Sequence, residues 1–227
     1  MERKKFGRWG ELSFVIGTVL LALGTVMQAK ADLGLGSAVA PPYILSEAVG
    51  VIAPGTMCYI FYGVLVLLTF ALLRRFKLEF VATFLSAVFF GLFVNLFTDV
   101  FLVDITDPPL WLRWGLFALG TVVSSLALAF LFNSYFPPQA PEMFAKEVSR
   151  LLGWSVYKGK YVYDIVSFFL ALALSLLLFR QVRVIGVGTF VSAAVNGPMI
   201  TFFGRLMERR LDFSPLFPRV ARLFEEK

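Results

Sequence analysis

Two segments, V-A-T-F-L-S-A-V-F-F-G at 81–91 and V-G-T-F-V-S-A-A-V-N-G at 187–197, carry Thr, Phe, Ser, Ala and Gly in the same places. The matched pairs are Thr83/Thr189, Phe84/Phe190, Ser86/Ser192, Ala87/Ala193 and Gly91/Gly197, all at one spacing. At that spacing Arg74 falls opposite Arg180 and Lys77 opposite Arg183. Upstream, Tyr59-Ile60-Phe61-Tyr62 resembles Tyr161-Val162-Tyr163-Asp164 after a small gap. Earlier still, each half has a proline-led segment that ends near glycine: Ala40-Pro41-Pro42 to Gly50, and Ala140-Pro141 to Gly153. Self-similarity of this order reads as a duplication, and it sets the frame for everything else in the chain.

The duplicated unit is membrane-spanning. The chain is 59% hydrophobic and 16% charged, with a mean hydropathy of +0.80, against about 45–50% apolar and about 25% charged for a soluble domain. A globule of 227 residues has no interior large enough for 26 phenylalanines. A span needs about 20 mostly apolar residues to cross about 30 Å of hydrocarbon. Six stretches qualify, at 11–30, 56–74, 79–101, 110–132, 159–179 and 186–206. The basic start, Met1–Gly10, leads into an apolar run too long for a cleavable signal, so it opens the first span.

The expected fold is all-α and polytopic: six transmembrane helices in two three-helix repeats, with a short broken helix in each. Residues 1–106 form the first repeat, with its break at 31–55. Residues 107–207 form the second, with its break at 133–158, and 208–227 form a tail. A copy appended after three spans inserts upside down, so the halves should be inverted, an arrangement found in many transporters. Short loops rich in Lys and Arg favour the cytoplasm. With both termini inside, Arg3, Lys4, Lys5 and Arg8, Arg74, Arg75 and Lys77, the 146–160 basic residues and the tail arginines all fall there. Asp99, Asp104 and Asp107 fall outside. Arg180 and Arg183 also fall outside, as the duplicated counterparts of an internal loop.

One cysteine, Cys58, and no histidine are present. A disulfide within the chain, a Cys/His zinc site and a Ser–His–Asp relay are therefore excluded. Neither a cofactor nor a metal is implied, and an enzyme is not expected. The net charge of +6 reflects the positive-inside bias and attraction to anionic headgroups rather than nucleic acid. The tail Leu211–Phe224 interleaves Leu216, Phe217, Val220, Leu223 and Phe224 with Arg219 and Arg222, the pattern of a short interfacial helix with a Pro218 start. The expected partners are the lipid bilayer and a small-molecule ligand, and a homodimer is compatible with the pattern.

An ionisable side chain inside a span is costly and reads as functional by default. Asp164 is the clear case, near Tyr161 and Tyr163. Its bland alternative is a headgroup-level pair with Lys158 or Lys160. Asn95 and Asn196 lie in the third and sixth spans, and Asn196 adjoins Gly197-Pro198, a breaker pair suited to unwinding the helix. Thr83, Thr189, Ser86 and Ser192 either face a site or back-bond within their helices. Gly17, Gly24, Gly115, Gly120, Ser124 and Ser125 suit close helix packing. The short segments are either re-entrant half-helices or surface helices. If re-entrant, their N-termini offer free N–H groups and partial positive charge to an anionic or zwitterionic solute. The charges of the second segment favour the surface for it.

The stretch Ala31-Asp32-Leu33-Gly34-Leu35-Gly36, with Gly186-Val187-Gly188-Thr189-Phe190 and Gly197-Pro198, resembles the YczE/YitT-type group of bacterial membrane proteins. Ser37-Ala38-Val39 stands where that group usually has Pro-Trp-Asp. The resemblance implies a six-span protein of the bacterial cytoplasmic membrane and no catalytic residue. The function expected from these readings is a secondary transporter of a small organic solute, with a site between the halves. Asp164, Tyr161, Asn196, Gly197, Asn95, Thr83, Thr189 and Asp32 are its candidate residues. A channel of the same architecture and a non-transporting scaffold are the alternatives.

Overall fold

A computed structural model describes residues 9–75, 77–100, 109–137 and 139–216. It contains eight helices among the described residues: α1 (Gly10–Ala31), α2 (Ala40–Val49), α3 (Pro54–Leu73), α4 (Leu78–Val100), α5 (Leu110–Asn133), α6 (Ala140–Leu151), α7 (Val156–Phe179) and α8 (Val187–Glu208). Six of these, all but α2 and α6, are long and apolar enough to cross a membrane. The chain is thus a multi-pass membrane protein, and the six expected spans match these helices to within a few residues at each end.

Helix boundaries follow from local chemistry. Proline occupies the first turn of α2, α3 and α6, where its missing N–H interrupts no intrahelical bond. The short helices α2 and α6 are followed by Gly50 (φ 71°) and Gly153 (φ 64°), left-handed positions that glycine adopts without penalty. Helices α3 and α7 stop at Arg74 (φ 50°) and Arg180 (φ 55°). These are the two arginines that the internal repeat places opposite each other, and each donates its N–H four residues back, to Phe70 and Leu176.

The two ends of the bundle are distinguished by charge. Gly10, the Arg74–Lys77 turn, Asn133 and the last turn of α8 lie at the basic end. Ala31, Arg113, the start of α3 and the α7–α8 loop lie at the far end. Helices α1 and α5 form the central antiparallel pair. A Cβ on Gly24 would sit 2.8 Å from the Gly120 carbonyl, and one on Gly120 2.9 Å from that of Gly24. Lipid offers no hydrophobic drive between helices, so small residues that let backbones touch supply the cohesion. Gln28 Nε2 donates to Thr121 Oγ1 (3.2 Å), and Ser13 Oγ to the Phe130 carbonyl (2.8 Å), along the same seam. Gly17 also packs tightly, against Leu131, whereas Gly115 faces open space.

Helix α4 packs on α1, and α8 on α5. The two short helices fill the remaining interior, each packed against both α3 and α7. Helices α3 and α4 also lie against each other, with Gly55 and Gly91 in backbone contact. Their repeat counterparts do not: among the described residues no α-carbon of α7 lies within 8 Å of one of α8. Those two meet instead through the rings of Phe168 and Phe190, centroids 5.3 Å apart.

One expectation is corrected. Helix α8 runs through Gly197-Pro198 without unwinding: it is continuous from Val187 to Glu208 with Pro198 inside it, and Thr201 Oγ1 donates to the Gly197 carbonyl (3.0 Å). Residues 211–216 are not helical. They cross the start of α1, where Trp9 N–H donates to the Asp212 carbonyl (2.8 Å) and Gly10 N–H to that of Ser214 (3.3 Å). The tail helix expected from Pro218, the N-terminal basic cluster, Asp104 and Asp107 lie outside the described residues.

Candidate functional site

Both short helices dip into the bundle and return to the end from which they came. Asp32 is held at the far end by the Arg113 guanidinium (2.8 Å), which also binds the Ala31 carbonyl. Glu47, in the last turn of α2, pairs with Arg183 at that same end. Between them the chain descends to Ser37, whose hydroxyl donates to Asp164 Oδ1 (3.2 Å). Asp164 lies about 12 Å along α7 from the basic end, a third of that helix at 1.5 Å per residue. From the other side, Ser134 Oγ donates to the Gly10 carbonyl (3.2 Å), and Glu147 of α6 pairs with Lys77 (3.2 Å), both at the basic end. Between these anchors the chain rises to Glu142, which pairs with Lys160 of α7 (3.1 Å). Lys160 also reaches Asp164 Oδ1 (3.0 Å), one helical turn on.

A continuous chain, Ser37–Asp164–Lys160–Glu142, therefore joins the turn that leads into one half-helix to the first turn of the other. Proline starts and apolar faces explain the burial of these turns. Pro41, Pro42, Ile44, Pro141 and Met143 are all buried. Irregular backbone at this depth survives only when enclosed by protein or facing water. The expectation that α6 stays at the surface fails: its carboxylates Glu147 and Glu142 pair with Lys77 and Lys160, and of its charged side chains only Arg150, near its end, is exposed by more than half.

The cluster holds two carboxylates and one ammonium. Side-chain exposure is 18% for Glu142, 34% for Lys160 and 38% for Asp164, so it is neither sealed nor at the surface. Beside it stand Tyr163, with Lys160 5.3 Å from its ring centroid, and Phe144, 6.0 Å from the same ring. Among the described residues, the hydroxyls of Tyr43 and Tyr163 and the Gln139 amide nitrogen are buried without a hydrogen-bond partner. Each belongs to α2, α7 or the start of α6, the elements that form the cluster. The first turn of α2 has no spare donor. Val39 and Ala40 N–H go to Gly36, Tyr43 N–H goes to Val39, and Pro41 and Pro42 have none. Recognition here falls to side chains, not to free backbone N–H groups at α2.

Of the residues singled out from sequence, Asp164 alone belongs to this cluster. Its pairing with Lys160 is one of the two pairings that the alternative reading named. Tyr161 is 68% exposed. Asn95 caps α3: its Oδ1 accepts from Gly55 N–H (2.8 Å) and its Nδ2 donates to Thr56 Oγ1 (2.9 Å). Asn196 Oδ1 accepts from Ser125 Oγ (3.1 Å), joining α8 to α5, while Gly197 is exposed. Thr83 Oγ1 donates to Met143 Sδ (3.2 Å), setting α6 against α4. Ser86 and Ser192 back-bond to Ala82 and Thr189.

Thr189 caps α8, accepting from Gly186 N–H (3.2 Å). It sits in a clasp between the two glycine-rich stretches. Gly188 N–H donates to the Leu33 carbonyl (2.7 Å), and Leu35 N–H to that of Val184 (2.9 Å). A Cβ on Gly34 (φ 114°) would fall 2.5 Å from Gly186 N, which is why both positions are glycine. The clasp, Asp32, Tyr43, Glu47 and Arg183 border a cleft of about 790 Å³ at the far end. Sequence reading missed Ser37 and Glu142, and it named Lys160 only as a headgroup-level partner of Asp164 and Tyr163 only as a neighbour. The available signal was opposite charges four apart in an apolar span, which meet on one helix face.

No curated protein matches the chain, and neither does any solved structure. The YczE/YitT likeness rests on the short motifs alone. A family profile matches residues 9–205, nearly the whole chain, and by it the protein belongs to DUF6198, a family of unknown function.

Proposed function

We propose that the protein is a secondary transporter of a small organic solute, working by alternating access between two inverted repeats. The observation that carries this reading is the convergence of two half-helices from opposite ends on the Ser37–Asp164–Lys160–Glu142 chain. Broken helices that meet inside a bundle are the usual setting for substrate and coupling-ion sites in transporters. The matched left-handed stops at Arg74 and Arg180 support the duplication. Three spans per repeat supports the inversion. On the positive-inside rule the basic end is cytoplasmic, as are both termini, in a bacterial inner membrane.

The charge balance narrows the ligand. Two carboxylates against one ammonium leave a negative excess, which a proton or a ligand cation neutralises. A zwitterion fits best: its cationic group meets Glu142 or Asp164 and its anionic group meets Lys160. A purely anionic solute loses support, since the first turn of α2 has no free N–H. Protonation of a carboxylate in the cluster would couple uptake to the proton gradient.

The test is a thermal-shift screen of amino acids and quaternary-ammonium zwitterions on purified protein, then uptake into proteoliposomes. A ligand at about 100 times its dissociation constant stabilises the folded state by about 2.7 kcal/mol. Asp164→Asn should keep the fold and lose both the shift and proton-driven uptake. A ligand that stabilises wild type and Asp164→Asn equally would remove the cluster from the mechanism.

A further inference from the structure

We infer that the parting between α7 and α8 is the door of the Ser37–Asp164–Lys160–Glu142 site, and that it shuts when Thr201 meets Tyr161 as Asn95 meets Gly55. The purpose of the door rests on the transport reading; the movement itself does not.

The two helix pairs can be compared position by position. Counted back from their left-handed stops at Arg74 and Arg180, Gly55 of α3 and Tyr161 of α7 are equivalent. Counted on from Gly91 and Gly197, Asn95 of α4 and Thr201 of α8 are equivalent. In the first pair these positions are zipped. Asn95 accepts from Gly55 N–H and donates to Thr56, Gly91 touches Gly55, and two turns on Phe84 lies against Gly63.

In the second pair only the Phe84 equivalent keeps its contact: Phe190 meets Phe168. Beyond it, toward the basic end, Tyr161, Ala193, Gly197, Pro198 and Thr201 are exposed, and a Cβ on Gly197 would meet nothing within 4 Å. The pair is therefore hinged at the rings and splayed below them.

Lys160, Asp164 and Phe168 follow one another at four-residue steps on α7, so the charges lie just below the hinge. Both side chains are partly exposed, 34% for Lys160 and 38% for Asp164. Toward the far end the site is covered by the Phe168–Phe190 rings and by the clasp of Leu33 and Leu35 with Gly188 and Val184. One pair zipped at the far end and the other open at the basic end is the pattern of a carrier open on one side. Interchanging the two arrangements opens it on the other, with Asn95 as the latch that must release.

A disulfide requires α-carbons about 4.4–6.8 Å apart, closer than any described α7–α8 pair. A cross-link between these helices therefore reports closure. The experiment uses the full chain with Cys58→Ala, reconstituted in phosphatidylcholine vesicles and oxidised with copper–phenanthroline. The pairs are Tyr161→Cys with Thr201→Cys and, one turn nearer the basic end, Lys158→Cys with Arg205→Cys. Disulfides are expected in both. Adding Asn95→Ala to the first pair should raise the initial rate about tenfold, as loss of two hydrogen bonds holding the competing state implies.

Failure of both pairs to cross-link, while each single cysteine reacts with maleimide, overturns the door. A rate unchanged by Asn95→Ala overturns the latch. Asp164→Asn with undiminished ligand binding would instead overturn the site reading and leave the cross-linking result standing.

Discussion

At the residue scale the buried charge cluster is the most consequential feature, and Lys160 is its pivot. It is the shared partner of Glu142 and Asp164, and removing it leaves two carboxylates facing each other in a confined space. Breaking a fully buried pair costs about 3–5 kcal/mol. With a third of these side chains exposed, Lys160→Met should cost on the order of 2 kcal/mol. Much of that should return when Glu142→Gln is added, because the repulsion is then gone. Thermal unfolding in detergent measures both, and a second substitution that only adds damage would show that Lys160 acts through packing. Asp164 was legible as a costly ion in a span. Lys160 was legible as its partner, four residues away, whereas Ser37 and Glu142 were not, because they lie 127 and 22 positions from Asp164 in sequence.

At the element scale, equivalent glycines in the two repeats have opposite surroundings. A Cβ on Gly91 would lie 2.3 Å from the Gly55 carbonyl, whereas one on Gly197 meets nothing. In an open helix position alanine is better than glycine by about 1 kcal/mol. Overpacking costs about 1–3 kcal/mol. Gly91→Ala should therefore lower the melting temperature and Gly197→Ala raise it or leave it unchanged, a difference of sign that thermal-shift assays resolve. Equal effects would mean that α7 and α8 close as tightly as α3 and α4 in the resting protein. The short helices themselves were legible from their prolines and terminal glycines. Whether they dipped or lay flat was not, since an amphipathic face suits either lipid headgroups or a neighbouring helix. The glycine-rich stretches at 31–36 and 186–190 were visible as motifs. That they clasp each other was not, because backbone pairing across the chain leaves no mark on either stretch alone.

For the whole molecule, topology yields the most direct test. With Cys58 replaced, cysteines introduced in the Arg74–Lys77 turn and in the 180–183 loop should react with membrane-impermeant maleimide from opposite faces, the former from the cytoplasm. Labelling of both from one side would overturn the inverted arrangement. Six spans, their order and their punctuation by proline and glycine were determined by the sequence itself. Hydrocarbon admits only long apolar helices with every backbone group satisfied, so length and hydropathy leave little choice. The repeated Thr-Phe and Ser-Ala pairs likewise mark the two halves as kin before any contact is known. Tertiary structure decided which side chains serve packing and which converge. It turned Asn95 into a cap, Asn196 into a tie to α5, and the Pro-led segments into two half-helices joined through Asp164. It also decided that one repeat is zipped and the other parted. Kindred sequences cannot announce that difference, because it lies in relative placement of helices rather than in the composition of either one.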